Sequence, residues 1–168
     1  MKSRIIGTPT ARFSALLLAV LLGPVACSTA IPRYCAPYED DLTSISKGFE
    51  GPALAAHLRV AGYSMFTSTD QSSDRVLAMC LYEKASSLGD AEAAYLLAPL
   101  YFTGVRGVGE DRSKASEMLR ISAGRGHCIA QLDLARELRA QGSDAEADVW
   151  RDRARAGGCV DAEGSAVK

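Results

Sequence analysis

The stretch Ala78-Met-Cys-Leu-Tyr-Glu-Lys-Ala-Ser-Ser-Leu-Gly89 returns twice along the chain with its small residues in register. Ala78, Leu81, Lys84, Ala85, Ser86 and Gly89 are matched 37 residues later by Ala115, Met118, Ile121, Ser122, Ala123 and Gly126. A further step of 32 residues leads to Ala147, Trp150, Arg153, Ala154, Arg155 and Gly158. A fixed period of about 30–40 residues marks a solenoid, in which each unit buries its apolar face against its neighbours. An array of this kind works by presenting a surface, so the pattern points to binding before chemistry.

The segments around the repeats read as helices. Ala, Leu, Arg and Glu dominate and β-branched runs are absent, so strand signals are weak. A first pair is expected at Pro52–Ser64 and, capped by Asp74, up to Leu88, with Gly89 as its stop. The second pair runs from Ala91 to Phe102 behind an Asp90 N-cap, then from Asp111 to Ala123. Pro99 removes a hydrogen bond to the Tyr95 carbonyl and predicts a kink. The loop Thr103–Glu110 holds Gly104, Gly107 and Gly109, which admit positive φ. The third pair spans His127–Ala140 and Asp144–Ala156, and its short connection Gln141-Gly-Ser143 accounts for the shorter second offset. The expected fold is all-α: a short α-solenoid of about three antiparallel helix pairs over residues 51–162, with a tail at 163–168. Residues 28–50, with Pro32, Pro37 and the acidic run Glu39-Asp40-Asp41, read as a tether.

Residues 1–27 read as a secretory signal peptide. Lys2, Arg4 and Arg12 precede the apolar run Phe13–Leu22, which is too short to span a bilayer, and small residues follow at Ala26, Cys27, Ser28 and Ala30. Val25-Ala-Cys27 resembles the end of a bacterial lipobox, in which Cys27 is lipidated and becomes the mature N-terminus, although Pro24 stands where that pattern prefers Leu. The alternative is ordinary cleavage after Ser28 or Ala30. Either route exports the protein, to the periplasm, to an outer-membrane lipid anchor or to the medium. Cys27 is the only membrane attachment the sequence offers.

Export changes the reading of the cysteines. With Cys27 lipidated or removed, Cys35, Cys80, Cys128 and Cys159 remain, an even number that suggests two disulfides with three connectivities. Cys128 and Cys159 follow Gly126 and Gly158 at the openings of successive units, so stacking favours Cys128–Cys159 and leaves Cys35–Cys80. A metal site is not expected, because C-x-x-C is absent and the two histidines, His57 and His127, lack ligand spacing. His127 reads as a helix-start residue.

Charge and motifs narrow the function further. The leader holds three bases and no acid, so its removal takes the net charge from −1 to −4 and leaves no basic field for nucleic acid. The Walker, dinucleotide, G-x-S-x-G and H-E-x-x-H patterns are all missing, and no cofactor is implied. Ser44-Ile-Ser-Lys47 reads S-x-x-K, but S-D-N and K-T-G do not accompany it and it falls in the tether. Arg151, Arg153 and Arg155, spaced two apart, spread around their helix as a solvated, dipole-compensating end.

Gly89-Asp-Ala-Glu-Ala93, Leu97-Ala98, Tyr101, Gly104, Gly107-Val108, Asp111, Ala115 and Gly126 together resemble the Sel-1-like repeat, a relative of the tetratricopeptide repeat. The likeness covers roughly residues 52–162. One extra residue separates Gly104 from Gly107, Ala98 stands for a usual glycine, and the flanking loops lack the glycines. The resemblance implies a non-catalytic scaffold whose concave face, lined by the first helix of each pair, grips a protein or peptide. By repeat equivalence Tyr95 with Leu132, and Pro99 with Arg136, face that partner. Two other readings accompany it: an exported hydrolase acting on cell-wall or β-lactam substrates, as proposed for some cysteine-rich members, and a structural lipoprotein of an envelope complex.

Overall fold

A computed structural model describes residues 32–68 and 72–159. It is all-helical: among the described residues there is a 3-10 helix, Arg33–Tyr38, and seven α-helices. These are α1 (Glu39–Ser46), α2 (Gly51–Ser68), α3 (Ser72–Ser87), α4 (Ala91–Thr103), α5 (Arg112–Gly124), α6 (Cys128–Ala140) and α7 (Asp144–Ala156). The leader, Cys27 and the tail at 163–168 lie outside the described residues. No described helix is long and apolar enough to cross a membrane.

The chief packing partners are α2 with α3, α4 with α5 and α6 with α7, and α3–α4 and α5–α6 join these pairs in turn. Small residues make the approach possible, because helix axes that close to about 8 Å leave no room for long side chains between them. Ala78, Ala93, Ala94, Ala130, Ala147 and Ala154 are all fully buried, and Ala115 nearly so. At Gly62 of α2 an added Cβ would lie 2.9 Å from the Tyr82 ring and 3.1 Å from the Ala78 carbonyl oxygen. That crossing buries Tyr82, and desolvation pushes its hydroxyl pKa up to about 12.

The helix ends at Gly89, Gly126 and Gly158 share one backbone geometry. The 6→1 bonds of a Schellman motif recur as Asp90 N–H to Ala85 O (3.1 Å), His127 N–H to Ser122 O (3.1 Å) and Cys159 N–H to Ala154 O (3.0 Å). Each requires left-handed backbone at the intervening residue, supplied by Gly89 (φ +101°), Gly126 (+88°) and Gly158 (+73°). Helix starts follow the same logic. The Asp90 carboxylate accepts from Ala93 N–H at 2.8 Å and that of Asp111 from Lys114 N–H at 2.9 Å. His127 is the N-cap of α6, its Nδ1 accepting from Ala130 N–H at 3.2 Å.

Three expectations need correction. Residues 33–46 are helical and not an irregular tether. Glu39, Asp40 and Asp41 occupy the first turn of α1, where carboxylates complement the helix dipole, so the acidic run is a helix start. This segment is fastened down: Cys35 is fully buried in a disulfide with Cys80, and Leu42 joins the core. The first pair also has different limits, α2 running on to Ser68 and α3 starting at Ser72, ahead of Asp74. Gly109 does not take positive φ; Gly104 (+70°) and Gly107 (+93°) do, around a tight turn closed by Val105 N–H to Val108 O at 2.8 Å.

The second disulfide joins Cys128 to Cys159, completing the favoured connectivity. Tyr34, Tyr101 and Lys114 converge on the Glu83 carboxylate: both hydroxyls donate to it, and Lys114 Nζ stands 3.4 Å away. Burial, then the Glu83 charge, pushes the Tyr34 hydroxyl pKa upward. The cluster ties the 3-10 helix to α3, α4 and α5.

Candidate functional site

An open groove of about 520 Å³ lies between α4, α5 and α6. Helix α4 contributes Tyr95, Leu96, Ala98, Pro99 and Phe102, spaced so that one face of the helix is offered along its length. Helix α5 adds Arg112, Ala115, Ser116 and Leu119, and α6 adds Asp133 and Glu137. The floor is apolar because Pro99 and the alanines carry no polar side-chain atom, while the polar groups stand along the α6 side and at the Arg112 end.

At one end Tyr95 joins two helices. Its hydroxyl donates to Asp133 Oδ2 at 3.0 Å, and its ring stacks on His127 at 4.6 Å between centroids. Burial first, and the Asp133 carboxylate second, hold the Tyr95 hydroxyl pKa above its ordinary value. Burial lowers the pKa of His127, against the opposing pull of Glu92, Asp133 and Asp90. A neutral ring is also what the cap needs, since Nδ1 must be an acceptor. Arg136 Nη1 holds Asp133 Oδ1 at 2.6 Å from the rim. In the middle, Glu137 Oε1 accepts from Ser116 Oγ at 2.8 Å and Gln141 Nε2 at 3.1 Å. At the far end the Arg112 guanidinium lies over the Phe102 ring, 5.0 Å from its centroid.

Of the four residues expected to face a partner, Tyr95 and Pro99 line this groove together, whereas Leu132 and Arg136 do not. Arg136 reaches it through its ion pair with Asp133. The 37-residue offset aligns equivalent positions of two units. A groove, however, is walled by opposing flanks of neighbouring helices, and rotation by one residue brings Asp133 and Glu137 to the wall instead. Arg112, Phe102 and Leu119 carried no distinct signal; only the antiparallel pairing of α4 and α5 places them beside Pro99 and Tyr95.

Other singled-out residues lie elsewhere. Ser44 and Lys47 border a separate open hollow under α1 with Glu39, Asp40 and Lys84. Helix α1 ends at Ser46, and Lys47 is its C-cap, its N–H donating to the Ser44 carbonyl at 3.3 Å. His57 stacks on Phe49 at 3.9 Å. Trp150 is partly buried against the Ala123–Leu134–Ala147 cluster, with the Arg153 guanidinium over its ring at 4.6 Å. Arg151 and Arg155 pair with Asp148 and Asp152 of their own helix. Among the described residues no group of three His, Cys, Asp or Glu side chains is placed to hold a metal ion.

Neither the protein-family models nor the curated proteins contain a match to this chain.

Proposed function

We infer that this chain is a non-catalytic, exported repeat protein of the bacterial cell envelope that grips a segment of another protein between α4, α5 and α6. The observation that carries the reading is the groove: an apolar floor with a polar border, held by three capped helices of which α6 is also fastened by the Cys128–Cys159 disulfide. Sequential packing of helix pairs, with the same Schellman closure at each repeat, supports a short right-handed solenoid of the Sel-1-like, tetratricopeptide-like kind. Two disulfides are compatible with an oxidising, exported location. Export itself rests on the leader, and Cys27 is the residue that would carry a lipid anchor. No nucleic acid and no cofactor enter this reading.

Site-specific cross-linking in intact cells tests it. A photoreactive side chain at Pro99 or Leu119 is expected to capture a defined protein, and the same group at exposed Val149 of α7 is not. The captured band should fade when Leu119→Asp places a charge on the groove floor. Capture from Pro99 that matches capture from Val149 and is unaffected by Leu119→Asp would remove the groove from this reading.

A further inference from the structure

The groove is charged unevenly along its length. Asp133 already holds a cation, Arg136, at 2.6 Å. Glu137 takes two neutral donors, Ser116 and Gln141, and no Lys or Arg nitrogen among the described residues is within 4 Å of its carboxylate. Arg112 likewise lies over the Phe102 ring with no carboxylate among the described residues in ion-pair range. A carboxylate on α6 and a guanidinium on α5, neither with an ion-pair partner among the described residues, thus border one apolar floor.

Their spacing carries the argument further. Ser116, which holds Glu137, is one turn beyond Arg112 on α5, so the backbone positions that carry the two contacts are about 6 Å apart along the helix axis. In an extended peptide the side chains on one side recur every second residue, at about 6.6–6.8 Å. We propose that the groove takes an extended protein segment with a Lys or Arg against Glu137 and an Asp or Glu two residues away against Arg112. Aliphatic side chains of the same segment rest on Leu96, Pro99 and Leu119. The Glu137 contact forms on a partly buried wall and the Arg112 contact at the exposed end, and a segment with the wrong charges is rejected by the same two groups. This proposal rests on the groove being the binding site, and its test separates the two.

Fluorescence anisotropy with the intact, disulfide-bonded chain reads it out. The probes are three labelled twelve-residue peptides of Ala, Ser and Leu, with Lys-Ala-Glu, Glu-Ala-Lys or Gln-Ala-Gln at the centre. One of the two charged orders is expected to bind about tenfold more tightly than the neutral peptide, the combined size of two partly exposed ion pairs. Glu137→Gln and Arg112→Gln should each reduce that advantage about threefold, and raised salt should reduce it further. Both positions are at the groove surface, and an unchanged melting temperature checks that each variant is folded. If the neutral peptide binds as well as both charged ones, or the advantage survives Glu137→Gln, the charge pairing is overturned and the groove reading stands. If none of the three binds, the groove reading falls and the pairing with it.

Discussion

The Nδ1 atom of His127 accepts the Ala130 amide only while the imidazole is neutral, so the cap of α6 is a titrating one. In the unfolded chain His127 protonates near its ordinary pKa of about 6.5. Burial holds the folded value lower, and so on acidification the unfolded state takes up the proton first. His127 therefore contributes its stability fully above that ordinary value and loses it as pH falls below. Urea titrations should show this slope in the wild type and lose it in His127→Asn, which keeps an acceptor. His127→Ala should cost about 1 kcal/mol at pH 7.5. A second residue-scale prediction concerns Gly104, where φ is +70° and an added Cβ would lie 3.1 Å from Glu110 N and Val108 O. Gly104→Ala should destabilise by about 1–3 kcal/mol in the same assay. The caps Asp90, Asp111 and His127 were legible in sequence because a side chain that can accept a hydrogen bond stands at the one position before each helix. Gly109 misled, because its composition permits positive φ without requiring it.

Between elements, short polar links act both within a helix pair and from one pair to the next. Ser122 Oγ of α5 donates to Ala91 O at 2.7 Å, and Arg125 Nη1 donates to Ser86 O at 2.9 Å. Ser122 is fully buried, so Ser122→Ala removes a buried hydrogen bond to the Ala91 carbonyl and should lower stability by about 1 kcal/mol in denaturant unfolding. The 3-10 helix and α1 depend on a covalent link as well, since the Cys35–Cys80 bond closes a separation of 45 residues. Replacing both cysteines by Ser should cost about 2–4 kcal/mol. Amide exchange should then quicken first in residues 33–46. These first helices were hidden in the sequence by two prolines and an acidic run, signals shared by loops and helix starts. Helices α4 to α7 were readable nearly to the residue because small-residue periodicity, caps and terminal glycines agreed there.

At the scale of the whole molecule, the groove exists because alanines let α4, α5 and α6 come close while Leu96, Leu119 and Phe102 remain at the opening. The Sel-1-like resemblance implied a face lined by the first helix of each pair; the α5 wall and the α6 residues of this groove were not implied, since offsets align sequence positions and say nothing of which flank of a helix meets its neighbour. The account depends on close helix contact at the buried small residues. The most direct measurement is the denaturant midpoint of Ala130→Leu beside that of Ala140→Leu, one fully buried and the other exposed on the same helix. Overpacking predicts a loss of about 1–3 kcal/mol for Ala130→Leu and a change within about 0.5 kcal/mol for Ala140→Leu. Equal midpoints for the two variants would contradict the close packing on which the stack and its groove are built.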